Sequence, residues 1–167
     1  MNTAATFAMK GKRALVVDGD LRHGSASAYV GSPKKGLSDY LGKRVNNVED
    51  LIVEKENYPG LYVLPVGTIP PNPTELLAEP RLAELIEKMR SCFDYIIIDC
   101  PPVDIVADTQ IIEKLADRTV FIVRAGLLER DMLPKLQSDY DAKRFKNMAL
   151  VLNGTIGGSS RYGYRYG

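Results

Sequence analysis

The run Ala14-Leu15-Val16-Val17-Asp18-Gly19-Asp20-Leu21-Arg22 constrains this chain more than any other stretch. Its apolar opening, ending in two β-branched residues, reads as a short strand buried on both faces of a parallel sheet. Asp-Gly-Asp then breaks the strand, so both carboxylates leave from its carboxyl end, the edge at which open α/β sheets bind ligands. Two acids and an arginine there fit a hard divalent cation beside an anion, and magnesium with a nucleotide phosphate is the common pairing. A plain turn that uses Asp and Gly for their backbone geometry is the other reading these residues leave open.

A second stretch repeats the design. Tyr95-Ile96-Ile97-Ile98-Asp99-Cys100-Pro101-Pro102 is an apolar strand ending in a carboxylate and a forced turn. Further strands are predicted at 61–65, 119–123 and 148–154. Between them lie helical segments: 3–10 closed by Gly11, a short helix between Gly36 and Gly42, a brief one at 47–52, and one over 131–140 with Pro134 in its first turn. Pro80 opens a helix through Arg90 in which Leu82, Leu85, Ile86 and Met89 share one face. Thr74 is expected to cap a short helix through Leu77, and Asp108 to cap a helix through Ala116. The lone histidine, His23, reads as a surface or packing residue.

In this order, with Pro70-Pro71-Asn72-Pro73-Thr74-Glu75-Leu76-Leu77 between them, the two acidic strand ends resemble the Walker A′ and Walker B elements of the bacterial tyrosine kinases of capsule and exopolysaccharide assembly. Arg161-Tyr162-Gly163-Tyr164-Arg165-Tyr166-Gly167 resembles the start of their tyrosine cluster. Single motifs are shared with partition and septum-site ATPases; the combination with the tyrosine tail is specific. The resemblance implies a three-layer α/β sandwich with a mostly parallel sheet, P-loop NTPase-like. Its domain spans 1–156, followed by a flexible Gly/Tyr-rich tail at 157–167.

The implied activity is ATP-dependent protein-tyrosine kinase with Mg2+ as cofactor. Asp18, Asp20 and Asp99 are the implied metal residues, and Asp18, Asp20 and Arg22 the catalytic set. Asn153 at the last strand's end would recognise adenine, although Asn-Gly is equally a turn pair. Asp104 is a further candidate for the site. Tyr162, Tyr164 and Tyr166 are the implied phosphoacceptors, each modification adding about −1.5 to −2 charges. The implied partners are other copies of the chain in a ring, a membrane-spanning polysaccharide co-polymerase and a tyrosine phosphatase, on the cytoplasmic side of the bacterial inner membrane.

The pattern G-x-x-x-x-G-K-S/T occurs nowhere in these residues. A P-loop supplies several amides and a lysine to the phosphates, and three or four such bonds amount to roughly the ~8 kcal/mol of a micromolar complex. The expectation is therefore a kinase domain without its N-terminal strand and P-loop, inactive as this fragment. Two other classes share the motifs. A partition-type ATPase would call for a C-terminal amphipathic basic helix, where this chain has glycine and tyrosine. A non-catalytic scaffold or phosphorylation target is the other. A net charge of +1 offers no electrostatic footprint for nucleic acid. No apolar run reaches the ~18 residues of a membrane span, so the fragment is expected to be soluble. Cys92 and Cys100 have no metal-ligand spacing and no expected bridge.

Overall fold

The computed structural model describes residues 1–101, 106–127 and 132–155. The chain clusters into two compact units, Met1–Leu115 and Ala116–Gly167.

In the first unit, strand β1 (Ala14–Asp18) is the central element. It pairs in parallel with β3 (Leu61–Leu64) on one side and β4 (Tyr95–Asp99) on the other. A two-residue strand, β2 (Val53–Glu54), adds antiparallel to the outer edge of β3, giving the order β2-β3-β1-β4. All five residues of β1 are buried, as the unbroken apolar run predicts for a strand covered on both faces.

Side chains alternate between two cores with the strand period of two. Ala14, Val16, Leu61 and Val63 pack on one face against Ala4 and Ala8 of α1 (Asn2–Met9). Leu15, Val17 and Leu64 pack on the other. They meet Leu37 and Leu41 of α2 (Leu37–Leu41), Leu77 of α3 (Pro73–Ala78), the Leu82, Leu85, Ile86 and Met89 face of α4 (Pro80–Arg90), and Ile112 of α5 (Val106–Glu113). Each fully buried Val or Leu contributes about 1.5–3 kcal/mol, so β1 with its neighbours anchors this unit. The unit is thus helix, sheet, helices: three layers, mostly parallel.

The second unit holds β5 (Val120–Arg124) and β6 (Ala149–Asn153), paired in parallel, with α6 (Met132–Asp141) as their crossover. Its small core includes Phe121 edge-on to Phe145, with ring centroids 5.5 Å apart, while Val120, Ile122 and Leu150–Leu152 are exposed.

Two predicted caps are corrected. Helix α3 begins at Pro73, with Asn72 at its N-cap position, and the Thr74 hydroxyl points away to Asp108 rather than to α3's own amides. Asp108 lies inside the first turn of α5, and its carboxylate is taken up by Thr74 and Arg22. A partner brought in by tertiary folding outcompeted the local amides in both cases.

A latch holds the loop after β3. The Asp39 carboxylate accepts from the Gly36 and Thr68 amides at 3.0 and 3.1 Å, from the Thr68 hydroxyl at 3.1 Å, and from Arg44 Nε at 2.9 Å. Burial pulls this carboxyl up, but the Thr68 amide, Arg44, Gly36 and the Thr68 hydroxyl outweigh that and hold it below its ordinary value of 3.8. A depressed carboxylate contributes stability that is present above the unfolded-state value and lost as pH falls through the folded one. Asp39→Asn is therefore expected to cost about 2–3 kcal/mol at pH 7 and much less at pH 3, compared by urea unfolding. An equal cost at both pH values would contradict the latch.

Candidate functional site

Because β1 and β4 run parallel and in register, Asp18 lies opposite Asp99 at the same sheet edge. Beyond the strand ends the chains stay close. Gly19 donates its amide to the Asp99 carbonyl at 2.8 Å. A Cβ at position 19 would lie 2.9 Å from that carbonyl oxygen and 3.1 Å from Ile98 and Ile112. Glycine stands here because there is no room for a side chain, a requirement that the Asp-Gly-Asp pattern alone does not reveal.

Asp18 is fully buried. Its Oδ2 accepts from both the amide and the hydroxyl of Ser27, each at 2.7 Å. Its Oδ1 has no hydrogen-bond partner among the described residues. Desolvation raises the Asp18 carboxyl above 3.8, partly opposed by the two Ser27 bonds and the Asp20 amide and reinforced by the charge of Asp99. Asp99, at the exposed end of β4, is also raised, first by desolvation; the positive Met1 amino group opposes this, and Asp20 adds to it. The Cys100 thiol, next in the chain, is pushed up to about 12 by burial and by Asp99, Asp20 and Asp108. Asp18 and Asp99 thus form an acidic pair at this edge.

Asp20 is buried but turned back on its own turn. Its Oδ1 accepts the Arg22 and His23 amides at 3.2 Å, and its Oδ2 lies 3.0 Å from His23 Nδ1. Arg22 is likewise engaged: Nε donates to Asp108 Oδ2 at 3.2 Å and Nη2 to the Thr74 hydroxyl at 3.0 Å, while Thr74 donates to Asp108 Oδ1. This three-residue tie joins the loop after β1 to α3 and α5. Among the described residues, no group of three or more His, Cys, Asp or Glu side chains forms a ready metal cage.

An unpartnered buried oxygen on Asp18, with the Asp99 carboxylate on the neighbouring strand, is an oxygen donor pair of the kind a hard divalent ion takes. Asp18 and Asp99 would hold it, and Asp20 would reach it through water.

Asn153 ends β6, where its side-chain oxygen accepts the Gly154 amide at 2.8 Å. This is the turn geometry that an Asn-Gly pair was expected to offer. Asp104 and the three tail tyrosines lie outside the described residues. Sequence reasoning missed Ser27 and Thr74 as site residues. Ser27 sits in a featureless Ser-Ala-Ser-Ala run, and no local signal marks it.

Comparison with known proteins finds tyrosine kinases and, among solved structures, also the cell division ATPase MinD of Pyrococcus furiosus, at a TM-score of 0.72 and 25% identity over 90% of this chain and 63% of that one. A family model described as an AAA domain matches residues 1–127. The tyrosine-protein kinase CpsD of Streptococcus agalactiae is 34% identical across 97% of this chain, which spans 73% of that protein. EpsB of Ralstonia solanacearum, whose name places it with the tyrosine-protein kinases, is 37% identical over 99% of the chain, which spans only 22% of its length. Among solved structures, the kinase domain of Escherichia coli tyrosine kinase ETK superposes with a TM-score of 0.82 at 28% identity, covering 98% of this chain and 64% of that one.

Proposed function

This chain belongs to the bacterial tyrosine kinases, built on the AAA domain that its residues match, and on that premise we propose that its acidic rim serves phosphoryl transfer from ATP to tyrosine hydroxyls. The observation that carries the reading is the unpartnered, fully buried Oδ1 of Asp18 beside Asp99. In such a reaction the protein supplies placement and charge neutralisation rather than covalent chemistry. Bound magnesium supplies the positive charge that screens the phosphates. Asp18 and Asp99 would hold it, Asp20 would orient water beside it, and Asp18 is the residue assigned to accept the tyrosine proton. Arg22, through Thr74 and Asp108, fixes the loop that carries Asp20, and we assign it that positioning part. Asn153 is the residue assigned to the adenine edge.

The acceptors we propose are Tyr162, Tyr164 and Tyr166, reached in another copy of the chain. Phosphates on a tail that also carries Arg161 and Arg165 would reverse its charge and loosen a ring of subunits. CpsD and EpsB support a setting in capsule or exopolysaccharide assembly. A membrane-spanning co-polymerase as activator, a tyrosine phosphatase as antagonist and the cytoplasmic face of the inner membrane complete the proposal. No helix among the described residues is long and apolar enough to cross a membrane.

Incubation of the protein with ATP, Mg2+ and an intact tyrosine kinase of the same family, followed by phosphosite mapping by mass spectrometry, tests the acceptor reading, because these residues hold no P-loop pattern. Phosphate is expected on Tyr162, Tyr164 and Tyr166. A chain that carries no phosphotyrosine under these conditions would overturn it.

A further inference from the structure

Ser27 lies at the start of a 3-10 turn (Ser27–Val30), nine residues after Asp18, and is itself buried. Its hydroxyl does two things at once: it donates to Asp18 Oδ2 at 2.7 Å and accepts the Val66 amide at 2.8 Å. Its amide donates to the same Oδ2 at 2.7 Å. Both donors therefore fall on one carboxylate oxygen, and the other is left bare. The Val66 segment is in turn held by two further bonds, the Ser38 amide to the Val66 carbonyl at 2.9 Å and the Ser38 hydroxyl to the Thr68 carbonyl.

We propose that Ser27 is the positioning residue of this site, clamping Asp18 through Oδ2 so that Oδ1 is the oxygen presented to a divalent cation, and tying that orientation to the loop after β3. The inference rests on the reading of Asp18 as a metal residue. A carboxylate free to rotate about χ2 would exchange its two oxygens and meet the cation with either. Clamped by two short bonds, it cannot do so without breaking both. Pre-setting one ligand oxygen in this way is how an outer partner tunes a metal site.

The probe is Mn2+ in the presence of ADP, followed by electron paramagnetic resonance as a titration of free against bound ion, on the whole chain. Ser27→Ala removes one hydrogen bond to a charged group and is expected to weaken Mn2+ binding by about 10-fold or more, while Ser27→Thr, which keeps the hydroxyl, restores it. Ser27→Ala also deprives the Val66 amide of its acceptor, so a loss of stability alone proves nothing. Ser38→Ala supplies the control, because it loosens the same loop without touching Asp18. It is expected to lower the melting temperature comparably and leave Mn2+ affinity unchanged. Equal Mn2+ affinity in Ser27→Ala and the unsubstituted chain overturns the role of Ser27, as does an equal loss in Ser38→Ala. Undiminished binding by Asp18→Asn overturns the underlying site reading instead, and absence of Mn2+ binding by the unsubstituted chain overturns both.

Discussion

Replacing Gly36 by alanine is expected to lower the melting temperature by about 6–12 °C, the equivalent of about 3 kcal/mol in a chain of this size. The backbone angle is not the cause, since φ here is −173°, extended and open to any residue. Space is. A Cβ on Gly36 would sit far inside contact of the Pro65 carbonyl oxygen, 2.5 Å from the Gly67 nitrogen and 2.6 Å from the Val66 carbonyl carbon. None of these is a side-chain tip that can swing away. The loop must retreat, and with it go the bonds from the Leu37 and Ser38 amides to the Pro65 and Val66 carbonyls and the Thr68 amide's bond to Asp39. Gly67 faces Gly36 across the same gap and has φ +78°, so Gly67→Ala combines crowding with backbone strain. The double variant should be less damaging than the sum of the two, because either one alone already displaces the loop. Calorimetry of the three variants checks this; a shift of under 2 °C for Gly36→Ala would mean that the loops do not meet as described.

Asp18→Asn is expected to abolish stabilisation by Mg2+ with ADP. For the unsubstituted chain, ligand at one hundred times Kd should add about 2.7 kcal/mol, or about 5–11 °C in melting temperature. The variant keeps an acceptor for Ser27 but loses the charge that faces Asp99. Its pH dependence should change as well. A carboxyl raised by burial holds its proton more tightly folded than unfolded. Its contribution to stability is thus fully present below the unfolded value and is lost as pH rises through the folded one. That decline should shrink in Asp18→Asn, without metal, to the part that the raised Asp99 carboxyl supplies, because the amide does not titrate. Asp39 acts in the opposite sense, so the two limbs overlap in the parent and separate only in the single variants. Equal ligand stabilisation of parent and variant would remove Asp18 from the site.

Much of this organisation could be read directly. The apolar run ending in Asp18 specifies a strand covered on both faces, because no other element buries so many consecutive apolar residues in so few positions. The run ending in Asp99 instead forms the edge strand β4, with Tyr95 and Asp99 exposed and its three isoleucines half-buried. The Leu82, Leu85, Ile86 and Met89 spacing marks the buried stripe of α4, and all four are buried. Strand β2 escaped notice because two residues are too few to show a period. Cap chemistry is local, so the sequence offers Thr74 and Asp108 as caps, whereas the two pair with one another across 34 residues and Asp108 pairs with Arg22 across 86.

The division follows from range. Hydrophobic period and turn residues act over a few positions, so the order of strands and helices, the acidic strand ends and the family resemblance are written into neighbouring residues. Which oxygen of Asp18 is clamped, why Gly19 and Gly36 admit no side chain, and that Arg22 is spoken for by Asp108 depend on segments that meet only after the chain has folded. Polar side chains have several partners of similar worth, and it is packing that brings one of them within 3 Å.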